Sequence, residues 1–123
     1  MTIKFTIIGK LDGLNEYTKK NRSNAYAGAK MKKDNEKIVI YYIRKSKLKK
    51  VEQYPITLKI TWYEKDRRRD IDNITFATKF IQDALVKEGI LIDDSQKYIN
   101  KVEHIVLVDK ENPRIEVELL NME

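Results

Sequence analysis

Residues 65–73, Lys65-Asp66-Arg67-Arg68-Arg69-Asp70-Ile71-Asp72-Asn73, set three consecutive arginines directly before two aspartates one residue apart. A second carboxylate pair, Asp93-Asp94, follows about twenty residues later. Guanidinium forks match phosphate oxygens. Carboxylates drawn from two short segments suit a hard cation such as Mg²⁺, which takes a few carboxylates together with water and substrate phosphate. The combination implies metal-dependent chemistry on a phosphodiester. If extended geometry persists through Asp72, Asp70 and Asp72 leave the chain on the same side, where a strand gives way to a helix. Asp93-Asp94 is the obvious source of a third carboxylate. Lys79 lies seven residues after Asp72, on nearly the same helical face and about 10 Å along. There it can hold a phosphate or offset developing charge. An i,i+4 ion pair with Asp83 is the competing role for Lys79. The bland alternative is that Asp70-Ile71-Asp72-Asn73 only caps a helix and that Asp93-Asp94-Ser95 is only a polar turn.

Composition removes several other chemistries. The 123 residues contain no cysteine and one histidine. Disulfides, thiolate zinc sites and cysteine nucleophiles are therefore excluded. His104 falls within the apolar run 102–108, where a structural role is expected. No Gly-Lys-Ser/Thr loop is present, so nucleotide hydrolysis has no support, and no organic cofactor is expected. No apolar stretch is long enough for a membrane span, which points to a cytoplasmic protein. The net charge of +6 is unevenly distributed. Residues 1–53 carry 14 Lys/Arg against 5 Asp/Glu, and residues 54–123 carry 11 against 14. A basic half beside an acidic half suits a polyanion surface next to a cation site.

The elements that must position these groups form one α/β domain of the α+β kind over residues 1–123. A mixed sheet of about four strands is expected, with a long amino-terminal helix and a second helix after the strand that delivers the Arg-Asp segment. The run 3–8 reads as the first strand, closed by Gly9 and Asp12-Gly13. Residues 14–50 read as one long lysine-rich helix, capped by Asp12 or Asn15 and broken, if anywhere, near 34–36. Ile56, Leu58, Ile60 and Trp62 alternate with Thr57, Lys59, Thr61 and Tyr63, a half-buried strand. From Asp72 the period changes. Ile74, Ala77, Ile81, Ala84 and Leu85 share a helical face, with Asp72 or Asn73 as N-cap and Gly89 as the stop. Residues 102–108 and 114–120 read as the two strands of a closing hairpin around 109–113.

As a set, Asp70-Ile71-Asp72-Asn73, Lys79, Asp83-Ala84-Leu85, Gly89 and Asp93-Asp94-Ser95-Gln96 resemble the core signature of the RusA family of Holliday junction resolvases. Gly13-Leu14-Asn15-Glu16-Tyr17 and the segment from Arg22 to Lys33 are similar to phage and prophage members. The resemblance implies a homodimeric, Mg²⁺-dependent endonuclease, with Mn²⁺ as a possible substitute, that cuts four-way DNA junctions by paired incisions. It implies that Asp70, Asp72 and Asp94 are the metal-binding, catalytic carboxylates and that Lys79 is the catalytic lysine. It places Arg67, Arg68, Arg69 and Asn15 against DNA. The stretch Ile74–Thr78 is about three residues longer than in the family pattern, nearly one helical turn, so an earlier helix start would keep the face of Lys79. Two rival expectations accompany this one: a non-catalytic junction-binding protein of the same fold, and a Mg²⁺ nuclease for other branched substrates.

Overall fold

The computed structural model describes residues 1–121. In chain order the elements are β1 (Thr2–Ile8), α1 (Leu14–Ser23), α2 (Ala25–Ser46), β2 (Ile56–Glu64), α3 (Ile71–Thr75), α4 (Thr78–Lys87), β3 (Ile99–Val108) and β4 (Arg114–Leu120). The strands form one mixed sheet in the order β1-β4-β2-β3. β4 runs antiparallel to both β1 and β2. β3 runs parallel to β2.

The alternation along β2 decides which face the core occupies. Ile56, Leu58, Ile60, Trp62 and Glu64 point inward, and each residue between them is half-buried. Those side chains join Phe5, Ile7, Val117 and Leu119 from the neighbouring strands. Val39 and Ile43 of α2 and Ile81 and Leu85 of α4 close the same cluster from above. The helices therefore lie on one face of the sheet. Each fully buried Leu or Ile side chain contributes ~1.5–3 kcal/mol. The α3–α4 segment bridges two parallel neighbours, a connection that needs a helical crossover.

The closing hairpin is not formed. Both strands exist where the alternation places them, but β2 lies between them. The five residues 109–113 cross the end of β2, where Asp109 N–H donates to Glu64 O at 2.8 Å. Five extended residues span up to ~17 Å, ample for two strand spacings of about 4.8 Å each.

The long amino-terminal helix is two helices, and the break falls at Asn24 rather than near 34–36. Asn24 is extended (φ −171°), and its Oδ1 accepts from Ala27 N at 2.6 Å, starting α2 afresh. Asn35, the residue that suggested a break, is buried within α2. Its amide donates to Met31 O and to Asp12 Oδ2, both at 2.8 Å, and its Oδ1 accepts from Asp12 N. Tertiary partners absorb the side chain that would otherwise favour a turn.

Candidate functional site

The arginine segment is the loop that leaves β2. Asp66 Oδ1 accepts from Arg68 N at 3.0 Å, folding the loop on itself. Arg67 and Arg68 stand exposed. Arg69 turns the other way. Its Nε and Nη2 donate to Glu64 Oε1 and Oε2 at 2.9 and 2.8 Å, and its Nη1 donates to Leu11 O at 3.2 Å. Glu64 keeps the inward phase of β2, so its carboxylate sits in the wall of the core, 7% exposed. A paired guanidinium fork is the arrangement that satisfies it there. Of the three arginines expected on DNA, Arg67 and Arg68 face solvent, while the Arg69 side chain is 14% exposed and committed to Glu64.

Extended geometry ends at Asp70 (φ −72°, ψ 158°), whose carbonyl accepts from Ile74 N at 3.1 Å. Asp72 already lies in the first turn of α3, and its Oδ1 accepts from Asn73 N at 3.1 Å. The two carboxylates therefore do not leave one side of a continuing strand, because the helix begins at Ile71, one residue before Asp72. Both are exposed. Asp70 is the N-cap of α3 but makes no side-chain capping bond. It lines a groove of about 360 Å³ with Arg67, Ile71 and the end of β3, Val106-Leu107-Val108.

Asn73 caps a different helix. Its Oδ1 accepts from Asn15 N at 2.9 Å, at the start of α1. The N-cap of α1 is Gly13, which has no side chain to offer, so neither Asp12 nor Asn15 caps it. A Cβ on Gly13 would stand 2.6 Å from both Asn73 O and Asn73 Oδ1. The Asn15 side chain is left exposed beside α3.

α3 and α4 are separated by a tight turn at Phe76-Ala77. Ala77 N donates to Ile74 O at 3.3 Å, and Thr78 Oγ1 donates to Thr75 O at 2.6 Å. The expected apolar face survives this break: Ile74, Ala77, Ile81, Ala84 and Leu85 are all buried. Gly89 ends α4 with φ +74°, a conformation that suits glycine. Lys79 thus occupies the first turn of a new helix rather than the second turn of one begun at Asp72.

There Lys79 makes the i,i+4 ion pair with Asp83 and a second one with Asp94. Its Nζ donates to Asp94 Oδ2 at 2.6 Å and lies 3.1 Å from Asp83 Oδ1. Asp83 Oδ2 in turn lies 3.4 Å from Lys32 Nζ on α2. The hydrogen bond to Asp94 holds the ammonium above the ordinary lysine range, and Asp83 adds to it. The same bond holds the Asp94 carboxyl below the ordinary range, with a smaller contribution from Asp93. This pairing favours the charged form of Lys79.

The structure sorts the site residues into three groups. Arg67 and Asp70 share the groove. Arg69, Glu64 and Asn73 form the frame behind it, with the backbone N–H of the exposed Asn15 bonded to Asn73. Lys79, Asp83 and Asp94 form an ion-pair cluster at the start of α4. Asp72 stands on the exposed turn of α3. Among the described residues, no three Asp, Glu, His or Cys side chains are gathered closely enough to hold a metal ion. Asp70, Asp72 and Asp94 are nonetheless oxygen donors of the type Mg²⁺ requires, and exposed enough to meet it. Sequence reasoning missed Glu64 and Gly13. Glu64 was readable from the phase of β2, since an inward carboxylate in an apolar series needs a cation. Gly13 carried no such signal.

His104 is not part of any of these groups. Trp62 Nε1 donates to its Nδ1 at 3.0 Å, and burial pushes its pKa below the usual value. Among the described residues no helix is long and apolar enough to cross a membrane. No curated protein matches the chain. The family model described as Endodeoxyribonuclease RusA matches residues 12–120. That match runs from the loop anchoring α1 to the last residue of β4 and takes in every element that builds the site, so the chain belongs to the RusA endodeoxyribonuclease family.

Proposed function

We propose that this chain is a Mg²⁺-dependent endonuclease that resolves four-way DNA junctions by paired incisions, acting as a homodimer in the cytoplasm. Family membership gives DNA as the substrate and phosphodiester hydrolysis as the reaction. The observation that carries the finer reading is the Lys79–Asp94 pair, 2.6 Å long, at the start of α4. It fixes a positive charge beside a carboxylate, on the helix that follows the segment with Asp70 and Asp72 in the chain. In this reading Asp70, Asp72 and Asp94 would hold the cation once drawn together, and it would supply positive charge against the scissile phosphate. Lys79 offsets charge on the phosphate as the bond breaks. Arg67 and Arg68 grip the backbone, contacts that carry little base information. Arg69 acts through the frame: with Glu64 it holds the loop on which the other two arginines stand.

The homodimer is supported by β3. This strand is at the edge of the sheet, and Val102, Ile105, Leu107 and Val108 are each about two-fifths exposed. Its outer backbone edge has no partner strand among the described residues. An edge like this is normally covered, and a second copy in antiparallel register would do so with two-fold symmetry.

The test is a labelled synthetic four-way junction incubated with the protein and Mg²⁺. Symmetrically paired nicks are expected, with loss of nicking in Asp72→Asn. Absence of paired nicks, or unchanged nicking in that variant, overturns the proposal. The open arrangement of the three carboxylates favours one second reading, a protein that binds junctions without cutting them. Tight binding with no cleavage in either Mg²⁺ or Mn²⁺ would select it.

A further inference from the structure

The outward ridge of α2 carries a feature that the reading above does not use. Lys33, Lys37, Tyr41 and Lys45 follow one another at i, i+4, i+8 and i+12, and all four are exposed. Successive members rise about 6 Å along the axis and step about 40° around it, so the row climbs about 18 Å as a ridge that winds across the outward face. It lies on the side of the helix opposite the buried Val39 and Ile43.

The cations of this helix fall into two sets. Lys30 is paired with Asp34, Lys32 with Asp83 and Arg44 with Glu88. These pairs hold α2 together or tie it to α4. Lys33, Lys37 and Lys45 have no ion pair among the described residues; Lys45 has only the ring of Tyr41, 5.9 Å from its Nζ. Tyr41 is 57% exposed, and it lines a shallow groove of about 660 Å³ with Lys37, Ile40, Arg44 and Lys45. Exposed Lys49 and Lys50 continue the positive charge beyond the helix.

We infer that this ridge is a docking surface for a duplex DNA arm, with Lys33, Lys37 and Lys45 on backbone phosphates and the Tyr41 hydroxyl on a phosphate between them. Charge complementarity favours this occupant. A winding ridge of cations without ion pairs among the described residues, set along a rigid helix, matches a stiff helical polyanion, which presents a phosphate about every 3.4 Å of axis on each strand. The inference rests on the DNA reading of the family but not on cleavage. It lengthens the contact from the loop at the end of β2 to a second surface across the helical layer.

The test measures the affinity of the full chain for a labelled four-way junction in EDTA, across a range of salt. The triple variant Lys33→Gln, Lys37→Gln, Lys45→Gln removes three phosphate contacts, so its log–log salt slope should be shallower than wild type by about 2.7. Between 50 and 200 mM salt the wild type should then lose about 40-fold more affinity than the variant. Tyr41→Ala should weaken binding at every salt with no change in slope. A control that removes three charges from the open face of the sheet (Lys4→Gln, Lys59→Gln, Lys101→Gln) should keep the wild-type slope. Equal slopes for the ridge variant and the wild type overturn the inference, as does restoration of wild-type binding by arms of any length in the ridge variant. A wild-type protein that binds steeply but never nicks in Mg²⁺ fails the catalytic reading and leaves this one standing.

Discussion

Arg67, Arg68 and Arg69 share a side chain but not an environment. Arg68 is 87% exposed, whereas Arg69 is 14% exposed and bonded through three nitrogens. Arg69→Ala leaves Glu64 buried without its cation, which costs ~3–5 kcal/mol. The melting temperature should fall by roughly 10–15 °C. Arg68→Ala should leave it within about 2 °C while weakening junction binding. Comparable melting of the two variants would show that Arg69 is not the clamp described here. Lys79 permits a second prediction, about pH. Its pKa is raised, so the stabilisation from its pairing is complete below the ordinary lysine value near 10.5 and fades as pH rises through the higher folded value. The pKa of Asp94 is lowered, so its share is complete above the ordinary value near 3.8 and fades as pH falls through the lower folded value. Between about pH 5 and 9 the pair stays fully charged. Lys79→Gln should therefore reduce nicking by about 10²-fold or more at every pH in that window, without changing the shape of the pH profile. A profile that loses a titrating limb in the variant would instead make Lys79 the base.

At the scale of elements, local pattern was legible and partnership was not. The phase of β2, the shared face of α3 and α4 and the stop at Gly89 could all be read from residue spacing, because each depends on a period of two or 3.6 residues and on one glycine. The order of the strands could not. Residues 109–113 have the same turn chemistry whether they close a hairpin or cross the end of β2. What separates the cases is that both edges of β2 are occupied, which is a property of residues far away in sequence. The break between α1 and α2 was missed because Asn24 and Asn35 look alike in sequence. Their tertiary partners make one a cap and the other a core residue. The candidate site followed the same division. Asp70, Lys79 and Asp94 were named from an ordered motif, but the inward turn of Arg69 and the reach of Asn73 to α1 depend on where α1 lies. Gly13 is the point at which α1 and α3 meet most closely. Gly13→Ala would force a methyl to within 2.6 Å of Asn73 O, a backbone atom with no room to give. The expected cost is ~1–3 kcal/mol. The aromatic contact of Tyr17 with Phe76, 5.2 Å between ring centres, should loosen with it. Unchanged stability of Gly13→Ala in urea would show that α1 is free to move away from α3.

The whole molecule leaves one side of its sheet unfinished. β1, at the far edge, is seven residues long, and Lys4 and Thr6 mark its open face. β3, at the other edge, is ten residues long and apolar on both faces, with Ile105 and Leu107 toward the open face and Val102 and Val108 toward the helices. Its charged residues, Lys101 and Glu103, pair with each other at 2.8 Å and leave no net charge to attract DNA. The carboxyl end of β3 also lines the groove that holds Asp70 and Arg67. Whatever covers this edge therefore borders the candidate site, and the proposed second copy of the chain would suit a nearly neutral, apolar edge strand. Two lysines at the centre of the strand test this directly, since charge on an edge blocks strand addition without disturbing the sheet behind it. Ile105→Lys combined with Leu107→Lys should give a monomer by light scattering at micromolar concentration, where the wild type should be a dimer, with unchanged far-ultraviolet dichroism. Junction cutting should pass from paired to single, uncoupled nicks, because two incisions in one binding event require two sites held together. A wild-type protein that is monomeric at that concentration, or a double variant that remains dimeric and still makes paired nicks, would place the interface elsewhere.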